Sequence, residues 1–134
     1  MIDLGDFLGE RLAWPRRTGT WDCCAFPAEW CISNGLPDPM ADYRGEYATD
    51  DEADHIVARS GGLAGIFGAG LEGVGLRRVE QAELGDVGVI DMLGQEAGAI
   101  YTGRRWAFIA ERGLGFVSLD ARDVPHIWRL PDGG

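Results

Sequence analysis

The chain has 134 residues, of which 46% are hydrophobic and 25% charged, with a formal charge of −10. That length fits one domain, residues 1–134, around one core, and the acidic surplus excludes a surface built to neutralise phosphates, so no nucleic-acid partner is expected. No apolar run approaches the roughly 20 residues of a membrane span, and the acid-bearing start Met1-Ile2-Asp3-Leu4-Gly5-Asp6 does not read as a signal peptide.

Residues 2–13 have the spacing of a short amphipathic helix with Leu4, Phe7, Leu8 and Leu12 on one face. Trp14-Pro15 stops it, and residues 16–20 form a polar loop. A second helix is predicted over 22–34, with Asp22 as N-cap and Gly35 as the stop signal. Pro27 disturbs it, because proline belongs in a first turn; either the helix starts later than Asp22 or its opening turn is distorted. Thr49 followed by Glu52 resembles a capping box that opens a helix to about Arg59. A further short helix is predicted over 63–70.

From Gly73 onward the pattern changes to strands, at 76–79, 87–91, 99–101, 106–110, 115–119 and 126–129. Helices followed by antiparallel strands make an α+β domain.

The stretch Trp21-Asp22-Cys23-Cys24 carries the chemistry. A cysteine just inside a capped helix start sits at the positive end of the dipole, which favours thiolate over thiol. Cys24 and Cys31 read as packing residues, and three cysteines crowded between 23 and 31 are not a disulfide framework. Their spacing is not that of a zinc site, so neither metal nor cofactor is expected. An adjacent pair closes only a strained disulfide. His55 reads as a solvated helix residue. His126, beside the last strand, is the one imidazole that folding could bring to Cys23. The acidic run 50–54 reads as a helix N-terminus rather than a calcium loop. The glycines at 70, 73 and 75 lack the strand-loop-helix context of a phosphate loop.

Three segments in this order resemble the NlpC-type cell-wall peptidases, compact members of the papain-like class. They are Asp22-Cys23, the Gly-Asp-hydrophobic strand at 84–90, and Gly98-Ala99-Ile100-Tyr101-Thr102-Gly103. The resemblance implies helices packed on a small antiparallel sheet or barrel, with Cys23 as nucleophile. It places the base at Ala97, with Gln95 and Glu96 beside it, and the group that orients the base near Ala110 or Glu111. None of these is an imidazole. The opening Phe7-Leu8 helix, the tryptophan before Asp-Cys, and Asp38-Pro39 leading to Tyr43-Arg44-Gly45-x-Tyr47 resemble a branch associated with phage and prophage tails.

The resemblance implies a degenerate site in a structural or adaptor protein of a phage-like tail tip. That protein would be made in the bacterial cytoplasm, assembled into the particle and partnered by tail hub proteins. The alternative is an active peptidase or amidase that cleaves peptidoglycan with Cys23, with His126 or a partner chain supplying the base.

Overall fold

The computed structural model describes residues 1–92 and 94–131. Four helices precede the strands: α1 (Leu4–Arg11), α2 (Ala25–Ser33), α3 (Asp50–Arg59) and α4 (Leu63–Gly73). Six strands follow, β1 (Arg77–Val79), β2 (Val87–Met92), β3 (Gln95–Tyr101), β4 (Trp106–Ala110), β5 (Gly113–Val117) and β6 (His126–Arg129). They form an antiparallel sheet in the order β1-β6-β2-β3-β4-β5. The α+β class is as expected. The sheet is open, with β1 and β5 as its two edges, rather than closed into a barrel.

Local chemistry explains the helix starts. The Asp3 carboxylate accepts the Asp6 N–H at 3.1 Å, and the Thr49 hydroxyl accepts the Glu52 N–H at 3.2 Å. Glu52 reaches back to the N–H of Ala48 at 3.1 Å, one residue before the position a capping box would use. Helix α2 begins at Ala25, later than Asp22, which resolves the difficulty with Pro27: the proline lies in the first turn, where its missing N–H costs little. Helix α4 runs to Gly73 instead of ending at 70, because Gly70 is the place where the Pro39 carbonyl and the Met40 methyl pack against the helix. The glycine cluster is thus partly a packing surface.

Alternation along the strands builds two cores. Val87, Val89, Ile100, Ala107, Ile109 and Trp128 face the helices, together with Phe7, Phe26, Trp30 and Phe67. Ile90, Ala99, Trp106 and Ile127 point to the opposite face, where Val124 covers them. The Gly85-Asp86 turn fastens the layers together. The Trp30 indole N–H donates to the Gly85 carbonyl at 2.9 Å, and Arg129 donates to both oxygens of the buried Asp86 at 3.0 and 2.8 Å. No helix among the described residues is long and apolar enough to cross a membrane.

Candidate functional site

Asp22 is only 3% exposed, and its two oxygens accept four hydrogen bonds. One oxygen takes the N–H groups of Cys24 at 3.0 Å and Ala25 at 2.9 Å, and so caps α2. The other takes the Gly19 N–H at 2.8 Å and the Tyr47 hydroxyl at 2.7 Å. Gly19, with φ of +89°, has no room for a Cβ, which would stand 2.7 Å from the Tyr47 carbonyl oxygen. The loop that carries Tyr47 is held by Asp38, which accepts from the Met40 N–H and the Arg44 guanidinium, each at 2.9 Å. The aromatic segment at 38–47 therefore anchors the cap of the cysteine helix.

Cys23, half-buried at the entrance to α2, faces a cleft of about 800 Å³ between the helices and the β3–β4 end of the sheet. The Cys23 pKa is pulled down chiefly by its neighbour Cys24, and the Gly98 N–H and the Arg16 guanidinium act in the same direction, against burial and Asp22. Cys24 is pushed up by Cys23 and by its own burial. Cys31 is pushed up to about 12 by burial. Burial also raises Tyr47, with Asp22 adding to it, so its hydroxyl remains a donor. Arg16 is fixed in the cleft wall by its own N–H on the Glu111 carbonyl and by Asp50, each at 3.1 Å.

Strand β3 supplies the opposite wall. A side chain at Gly98 would collide with the Cys23 carbonyl and the Phe67 ring, so this position faces the helices. Glu96, two residues earlier, shares that face, and its carboxylate accepts the Leu63 N–H at 3.2 Å to cap α4. Because β3 begins at Gln95 rather than at 99, Ala97 lies inside the strand and packs toward the opposite core. Glu96 is thus the residue that shares the face of Gly98, and Ala97 lines the cleft as well.

The structure does not bring His126 to the thiol. His126 stands opposite Val89, which stands opposite Gly98, two strands away. Its ring stacks on Trp128 with centroids 6.2 Å apart and touches the Arg78 guanidinium, and it does not line the cleft. His55 is exposed on α3 and is also absent from the cleft wall. Sequence reasoning passed over Arg16, whose loop gave no signal, and did not tie Tyr47 to Asp22.

The arrangement can present a thiolate, and among the described residues no imidazole lines the cleft with it. A leaving amine needs a proton. Tyr47 donates to Asp22, and the Cys24 and Ala25 N–H groups, which could have served as oxyanion donors, are taken up by the same carboxylate. No curated protein and no solved structure matches the chain. A family model matches residues 2–130, and the chain belongs to that family, DUF6950, a domain of unknown function.

Proposed function

We propose that the chain is a papain-like, NlpC-type domain whose cysteine has lost its base, and that it works as a structural or adaptor component of a phage-like tail tip. One observation carries the reading. A capped cysteine helix is packed against a strand, as a peptidase site requires, while the facing positions on that strand are Glu96 and Gly98 and both histidines stand elsewhere. Glu96 is no substitute, since a carboxylate beside the sulfur would raise its pKa. The tail setting rests on the motif at 38–47, in which Arg44 donates to Asp38 within the loop and Tyr47 ties the loop to Asp22. The test is to purify particles from cells that carry this gene intact, deleted or with Cys23→Ala. The reading expects the chain in the tail fraction, defective tails on deletion and normal tails with Cys23→Ala. Its absence from particles would overturn it.

A second reading, an active peptidoglycan peptidase, is favoured by the lowered Cys23 pKa and the open cleft. It requires a base from a partner chain, since His126 stands two strands away, and muropeptide digestion that stops with Cys23→Ala.

A further inference from the structure

We propose that the cleft beside Cys23 docks a basic segment of a partner protein, an extended stretch of chain that bears arginine or lysine. The proposal rests on the adaptor reading for its partner and adds the chemistry by which that partner is recognised. The cleft itself is the first observation. Its volume of about 800 Å³ falls within the usual span of binding pockets, about 300–1,000 Å³. Buried apolar side chains line it: Met40, Ile56, Leu63, Ile66 and Ile109, all members of the core between helices and sheet.

Charge is the second observation. Among the described residues, five carboxylates and a single guanidinium line the cleft. The carboxylates are Asp22 ahead of α2, Asp50 and Asp54 on α3, Glu96 on β3 and Glu111 just after β4. Asp50 and Asp54 are four residues apart on one face of α3, where like charges repel. Arg16, the cation, is already engaged by Asp50 at 3.1 Å. Asp54 and Glu111 have no side-chain partner among the described residues, and Glu96 uses one oxygen, on the Leu63 N–H. Unmatched negative charge therefore stands on both the helix wall and the sheet wall.

The spread of these groups decides what they recognise. Among the described residues, no three His, Cys, Asp or Glu side chains are placed to hold one metal ion. Separated carboxylates around an apolar lining suit instead a cation that carries its own apolar stem. Arginine and lysine have that form, a hydrocarbon stem that packs on apolar surface and a charged head that reaches the rim. The chain's formal charge of −10 adds long-range attraction for such a segment.

Fluorescence anisotropy of a labelled peptide that alternates arginine and leucine tests the site in the full chain. The expected result is saturable one-to-one binding that weakens with salt and falls at least about tenfold when glutamine replaces arginine. The double variant Asp54→Asn, Glu111→Gln is expected to weaken binding about three- to tenfold, the worth of two partly exposed ion pairs. Asp6→Asn with Glu80→Gln removes the same charge outside the cleft and leaves affinity unchanged. Bound peptide also slows alkylation of Cys23, because both reactions use one cleft. Absence of binding, equal binding of the glutamine peptide, an equal loss in both double variants, or unhindered alkylation overturns the proposal. Spermine that binds as tightly as the peptide overturns it too, since the occupant would then be a free polyamine. Failure here leaves the tail-tip reading standing, whereas absence of the chain from particles sinks that reading and leaves peptide binding as measured.

Discussion

At the scale of single residues, Asp22 shows how one buried carboxylate organises a site. It caps α2, fixes the loop at Gly19 and accepts the Tyr47 hydroxyl, and each of these donors would lose its acceptor without it. Asp22→Ala is expected to lower stability by about 2–4 kcal/mol, the loss of a cap plus an unsatisfied hydroxyl, read as a fall in Cm on urea unfolding. Cys24 controls the reactivity of its neighbour. Because Cys24 is the largest influence pulling Cys23 down, Cys24→Ala is expected to move the pH midpoint of Cys23 alkylation upward, toward that of an ordinary thiol. An unchanged midpoint would show that Gly98 and Arg16 suffice. The cap at Asp22 was legible from residue type alone. The thiol pair was legible only as adjacency, since the influence of one cysteine on the other depends on side-chain geometry.

At the scale of elements, the site is the junction of α2 with β3, and Gly98 is its closest point. Gly98→Ala is expected to push the helix start off the strand at a cost of about 1–3 kcal/mol, with Cys23 becoming more accessible to alkylation. Glu96 joins β3 to α4, and Glu96→Ala should cost about 1 kcal/mol through loss of that cap, visible as faster amide exchange in the first turn of α4. The helix start at Thr49 could be read from capping chemistry, and β4 and β6 from their hydrophobic runs. The register of β3 could not. Side chains alternate across a strand, so a strand expected only from 99 leaves open which of Glu96 and Ala97 shares the face of Gly98. The start of α2 was ambiguous for a related reason: Pro27 limits where a helix can begin without choosing between Asp22 and Ala25.

At the scale of the molecule, sheet order decides what reaches the cleft. Strand β6, last in the chain, inserts between β1 and β2, and this places His126 about 10 Å across the sheet from Gly98 at the spacing of adjacent strands. Nothing local to His126 could announce that position, because the pairing joins residues far apart in the chain. The α+β class was legible from the change of period at Gly73, whereas the open edges at β1 and β5 were not. The central claim is that no imidazole serves Cys23. The pH dependence of Cys23 alkylation in wild-type protein, His55→Ala and His126→Ala tests it most directly. The account predicts the same alkylation midpoint in all three proteins; a midpoint that moves on removal of either imidazole would contradict it.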